Sequence, residues 1–156
     1  MELYREYELK FYLNAQHYIL MGGRRGEDHP HTWEFSLNIR IESGSFTPFA
    51  LFEDGINRFL APYQNRLLNL VPPFDGILPT LENMVDYFSK EFSSIIRGVG
   101  GRLIRIKASE GPSRAYILEL EDASREPEEA SENLGGLVNS ILEDILSDQD
   151  ADLSGL

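Results

Sequence analysis

Residues 31–42, His-Thr-Trp-Glu-Phe-Ser-Leu-Asn-Ile-Arg-Ile-Glu, decide the fold. Trp33, Phe35, Leu37, Ile39 and Ile41 follow His31 on one side, while Thr32, Glu34, Ser36, Asn38, Arg40 and Glu42 lie opposite. A period of two marks a β-strand with one face on a core. Residues 4–20 repeat the pattern. Phe11, Leu13, Ala15, His17 and Ile19 share one face, and Lys10, Tyr12, Asn14, Gln16 and Tyr18 share the other. Between them the connector Met21–Asp28, with its glycines, arginines and acids, reads as a loop.

Helical periodicity follows. Thr47-Pro48 reads as an N-cap and first turn, ahead of a stripe of Phe49, Phe52, Ile56, Phe59, Leu60 and Tyr63 that Pro62 ends or kinks. Residues 64–79 read as loop. A second helix opens with Thr80 as N-cap, carries Met84, Val85, Phe88, Phe92, Ile95 and Ile96 on its apolar side, and ends at Gly98. A third strand spans Arg102–Glu110, where Ile104, Ile106 and Ala108 share a face with Glu110. Gly111-Pro112-Ser113 turns the chain into a fourth strand, Ala115–Leu120. The order β-β-α-α-β-β predicts an α+β fold, with two helices covering the apolar face of one four-stranded antiparallel sheet.

The chain holds three histidines, His17, His29 and His31, all within fifteen residues. His29 and His31 project from one strand face, and an antiparallel neighbour brings His17 beside them. Three imidazoles without a fourth protein ligand form the pattern of a catalytic zinc site, in which water or substrate takes the open position. The alternative is that they are polar residues at strand ends. Glu110 continues an apolar row, which is costly for a carboxylate without a partner. It is a ligand-binding group, or it lies past the strand end in water.

Composition narrows the classes. At 156 residues one domain is the prior, and with no cysteine disulfides and thiolate chemistry are excluded. The N-terminus shows no signal-like apolar core and no stretch is long enough to span a membrane, so a cytoplasmic location is expected. From Asp122 onward ten acids face one arginine, so −9 of the net charge of −12 belongs to residues 122–156. This acidity argues against nucleic-acid binding. The tail opens as a polar linker. Leu134, Leu137, Val138, Ile141, Leu142, Ile145 and Leu146 then predict an amphipathic helix with an acidic outer face, which docks on its own oligomer or on another protein.

Four blocks in order carry a family resemblance. They are Leu13-Asn14-Ala15-Gln16-His17, His29-Pro30-His31, Pro79-Thr80-Leu81-Glu82-Asn83 and Glu110-Gly111-Pro112-Ser113-Arg114-Ala115-Tyr116. Over about residues 4–121, within a domain read as 1–121, the chain resembles the 6-pyruvoyl-tetrahydropterin and 6-carboxytetrahydropterin synthases. The resemblance implies a tunnelling fold, in which three subunits pool their sheets into a twelve-stranded barrel and two trimers stack into a homohexamer. It implies Zn2+ on His17, His29 and His31, a pterin anchored by Glu110 and helped by Thr80, and lyase chemistry on dihydroneopterin triphosphate.

The departures concern proton transfer. The family's cysteine base, four residues before its His-x-His pair, is replaced here by Arg25. The family's Asp-His pair is matched by Gln64 and Asn65, which take no proton near neutral pH. Glu27 or Asp28 is a candidate substitute base, or both sit in an ordinary solvated loop. Arg25, with Arg24, is a candidate clamp for a substrate carboxylate or phosphate. Three functions follow: a zinc- and pterin-binding homologue with altered or absent lyase activity, an active synthase with a substitute acidic base, or a hexameric scaffold docking a partner through its tail helix.

Overall fold

The computed structural model describes residues 5–41 and 47–120. Strand β1 (Glu6–His17) is followed by two short strands, β2 (Leu20–Met21) and β3 (Arg24–Arg25), and by β4 (His29–Ile41). Helices α1 (Phe49–Leu60) and α2 (Leu81–Gly98) come next, then β5 (Gly101–Gly111) and β6 (Arg114–Glu119). The main sheet is antiparallel in the order β1-β4-β5-β6. The tail, residues 122–156 with its amphipathic pattern, lies outside the described residues, as do Tyr4 and Glu42 at the ends of the two alternating stretches.

The alternation does what it predicts. Phe11, Leu13 and Ala15 of β1 and Trp33, Phe35, Leu37 and Ile39 of β4 are buried on one face. Onto that face α1 sets Phe52, Ile56 and Leu60, and α2 sets Met84, Val85, Phe88, Phe92 and Ile96. The rings interlock edge to face, with Phe35 5.6 Å from Phe88 and 5.8 Å from Phe92. Thr80 caps α2, its hydroxyl oxygen accepting from Asn83 N–H at 3.2 Å. Beyond α1, Ala61–Tyr63 tighten into a 3-10 turn containing Pro62.

Four local expectations are corrected. The connector read as a loop forms the β2–β3 hairpin, because Gly22 and Gly23 adopt φ of 59° and 77°, as a two-residue hairpin turn requires. Pro48, not Thr47, occupies the cap of α1, and no side chain caps it. Phe49 leaves the apolar stripe: it is exposed and stands edge-on to Tyr7 at 4.9 Å. Ile104 does not continue the row of Ile106 and Ala108. Asn38 pairs with Arg105 and Ile39 with Leu103, so Ile104 is the extra residue of a β-bulge and Leu103 takes the buried place.

Gly101 opens β5 where three elements meet. A Cβ there would stand 2.9 Å from Ile39 Cγ2, 3.0 Å from Phe52 Cε1 and 3.1 Å from Ile96 Cγ2. All three neighbours are core side chains with little room to retreat. Gly101→Ala is therefore expected to cost about 1–3 kcal/mol through overpacking, read from the urea midpoint. An unchanged midpoint would contradict this close approach.

Candidate metal and ligand site

The site begins with strand register. Across β1 and β4, His17 stands opposite His29, and His31 lies two residues along on the same face. The three rings converge, with centroids 4.4 Å (His17–His29), 5.1 Å (His17–His31) and 4.9 Å (His29–His31) apart. One ligand nitrogen from each falls within 4.8 Å of the others.

Neighbours settle which nitrogen His17 and His29 present. His17 Nδ1 lies 2.7 Å from the carbonyl oxygen of Pro79. A carbonyl only accepts, so Nδ1 carries the proton and Nε2 keeps its lone pair. His29 is set the same way by the carbonyl of Glu27 at 3.0 Å. His17 Nε2 is buried and has no hydrogen-bond partner. Burial holds the His17 pKa below the ordinary value, against the opposing pull of the Pro79 hydrogen bond, so the imidazole stays neutral as a metal ligand must be. A tetrahedral zinc with nitrogens at about 2.0–2.1 Å spaces them by about 3.4 Å, a closing-in that side-chain rotations supply. Donor type, tautomer and the orphaned buried nitrogen all fit a zinc-like ion.

The supports of His17 come from the loops. Asn83 Nδ2 donates to the carbonyl of Leu78 at 2.9 Å, which fixes the segment presenting Pro79. Asn69 is buried and holds Tyr18 from both sides, accepting from its N–H at 2.9 Å and donating to its carbonyl at 3.0 Å. Such outer contacts orient metal-binding imidazoles.

The three histidines open into a cavity of about 720 Å3, also lined by Thr80, Glu82, Glu110, Arg114 and Tyr116. A second bulge aims Glu110. Ala108 pairs with Tyr116 and Gly111 with Arg114, which leaves one extra residue on β5 between them. Trp33 Nε1 donates to Glu110 Oε1 at 3.2 Å. The partner that a carboxylate on an apolar row requires is therefore an indole rising from the core.

The other candidates lie elsewhere. Arg25 is not among the residues lining the cavity; it pairs with Asp28 at 2.9 Å and lies over the Tyr18 ring at 4.1 Å. Glu27 reaches His29 through its backbone carbonyl. Thr80 lines the cavity while its oxygen serves the α2 cap. Gln64 donates to the carbonyl of Tyr12 at 2.8 Å and accepts from Asn14 N–H at 2.9 Å, so it stitches its loop to the edge of β1. Sequence reasoning gave Trp33, Asn69, Asn83 and Arg114 no role in the site. Asn83 and Arg114 already stood inside motif-like blocks; nothing local marked Trp33 beyond its row, or Asn69.

The comparisons agree with this architecture. The family model described as 6-pyruvoyl tetrahydropterin synthase matches residues 6–121. No curated protein matches the sequence significantly. Among solved structures the chain is similar to 6-pyruvoyl tetrahydropterin synthase from Caenorhabditis elegans, with TM-score 0.62, 16% identity, and coverage of 76% of this chain and 97% of that one. It is similar to the Plasmodium falciparum synthase, with TM-score 0.55, 15% identity, and coverage of 76% and 99%. It is also similar to a Plasmodium vivax synthase variant in which a catalytic glutamate is replaced by alanine, with TM-score 0.57, 14% identity, and coverage of 78% and 100%. At these identities the structural likeness shows the fold.

Trp33 is the only tryptophan and its ring lies 4.9 Å from His17 and 5.2 Å from His31. Titrating metal-free protein with Co2+ is expected to quench tryptophan emission, with saturation near one ion per chain and no response in His17→Ala; silent emission would count against occupancy of the triad. Acid is expected to weaken the metal-free fold through His17. Its folded pKa lies below its unfolded value of about 6.5, so its contribution is complete above that value and is lost as pH falls from there through the lower folded pKa. A smaller loss of stability between pH 7 and 5 in His17→Gln than in the wild type is the check.

Proposed function

The chain belongs to the 6-pyruvoyl tetrahydropterin synthase family, and on that premise we propose that it binds zinc through His17, His29 and His31 and a pterin through Glu110, with lyase activity on dihydroneopterin triphosphate altered or absent. One observation carries the reading: three imidazoles, one with a buried unpartnered nitrogen, share a cavity with a carboxylate held by Trp33.

Each residue has a task in this reading. Glu110 accepts two parallel hydrogen bonds from the ring nitrogen and amino group of the pterin edge, and Trp33 fixes its rotamer. Thr80 keeps its hydroxyl proton free to donate to the ring while its oxygen caps α2. The zinc, when bound, supplies Lewis acidity toward side-chain oxygens of the ligand. The proton-transfer machinery is what the chain lacks. Arg25 takes the place of the family's cysteine, Gln64 is consumed in holding β1, and Asp28 is tied to Arg25 at 2.9 Å. Removal of a positioned base costs on the order of two to four powers of ten in rate.

A second reading is favoured by one observation: the Plasmodium vivax relative has a catalytic glutamate. Glu27 then serves as substitute base, since its carboxylate has no ion-pair or hydrogen-bond partner among the described residues. In either reading the sheet edges β1 and β6 close into a barrel between chains, giving the family's homohexamer and removing exposed edges.

Metal content of tag-free protein separates the possibilities first. About one zinc per chain, lost in His29→Ala, is expected. Glu110→Gln is then expected to weaken pterin binding by about 10- to 100-fold, the range of a charged hydrogen bond. Turnover of dihydroneopterin triphosphate at the rate of an active synthase, abolished by Glu27→Gln, would replace the first reading by the second. Absence of both zinc and pterin binding would overturn both.

A further inference from the structure

The turn between β5 and β6 carries a cation that the reading above leaves unused. Glu34 of β4 pairs with Ser109 of β5, so the turn at Gly111–Arg114 reaches the level of Thr32 and His31. Arg114 opens β6 and lines the same cavity as the imidazoles and Glu110. Its guanidinium has no hydrogen-bond or ion-pair partner among the described residues. Other arginines are committed: Arg25 to Asp28, Arg40 to Glu6 and Arg105 to Glu119. Apart from the histidines, the charged residues lining this cavity are Glu82, Glu110 and Arg114, so Arg114 is its single permanent cation among the described residues.

We infer that Arg114 determines ligand specificity by receiving an anionic substituent, carboxylate or phosphate, of the molecule whose ring edge lies on Glu110. This rests on the pterin reading above and names the substituent that reading left open. A guanidinium offers a planar fork that matches the oxygens of a carboxylate or phosphate. Here the fork meets the ligand without first breaking an internal ion pair. Glu110 on β5 and Arg114 on β6 flank one hairpin turn, so a ligand with donors at one end and an anion at the other is read from both ends of a single structural unit. A triad-bound metal adds positive charge to the same cavity, so both attract the anion, and only substitution of Arg114 tells them apart.

The test is fluorescence titration of the zinc-supplied full chain and of Arg114→Gln with three pterins: neutral 6-hydroxymethylpterin, its phosphate ester, and pterin-6-carboxylate. Arg114 is exposed, so the variant is expected to fold. In the wild type at least one anionic pterin should bind about five- to tenfold tighter than the neutral one. That advantage should vanish in Arg114→Gln and shrink with added salt, while affinity for 6-hydroxymethylpterin stays unchanged. The anion that gains more identifies the substituent as carboxylate or phosphate. Equal affinities in the wild type, or an advantage that survives in Arg114→Gln, overturns the inference and leaves pterin binding intact. Failure of all three pterins to bind overturns the pterin reading and this inference with it.

Discussion

The register between β1 and β4 is the constraint on which everything else depends. Twelve consecutive pairs run from Glu6 opposite Arg40 to His17 opposite His29. A slip of one residue would turn Phe11, Leu13 and Ala15 out of the core and His17 away from the other imidazoles. The burial of the apolar rows therefore fixes the ligand geometry. Core and site are one pattern: the apolar rows of β1 and β4 each run into histidine.

Polar residues finish what the core begins. His17 is held by the Pro79 carbonyl, Pro79 by a loop that Asn83 locks, and the chain beyond His17 by Asn69. These contacts tie β1 to the start of α2 and to the loop before it, so three distant stretches meet at one ring. His17 Nε2 stays buried without a hydrogen-bond partner among the described residues, a cost the rest of the fold offsets. Glu110 follows the same logic, since a bulge turns it into the cavity and the indole of Trp33 satisfies one of its oxygens.

On the proposed reading, ligand-holding and proton-moving features have separated in this chain. The histidines and Glu110 converge in one cavity, whereas the positions that the sequence resemblance matches to acid–base groups hold Arg25, Gln64 and Asn65. Gln64 and Asn65 have work of their own: with Arg66 they cover the outer edge of β1 near Asn14 and Gln16. A side chain bonded to strand backbone is poorly placed to shuttle protons. That division is what the proposed binding function rests on, and in the proposal for Arg114 the charge of the cavity wall, rather than its bases, distinguishes ligands.

The sequence by itself determined the element order, the core-facing rows and the clustering of the three histidines, because strand and helix periods are local and the hydrophobic effect acts on each row directly. It also determined the cap at Thr80 and the oddity of Glu110 on an apolar row. Only the tertiary structure decided the rest. Ile104 drops out of its row because a bulge is defined by the partner strand, which a single stretch does not contain. The β2–β3 hairpin forms because Gly22 and Gly23 both take positive φ, and glycine content alone did not distinguish that turn from an open loop. Arg25, adjacent to the histidines in sequence, turns to Asp28 and Tyr18, while Arg114, far along the chain, lines the cavity. Closeness along the chain fixes only what neighbouring backbone geometry reaches; which charges share a cavity is settled by how separate strands are brought together.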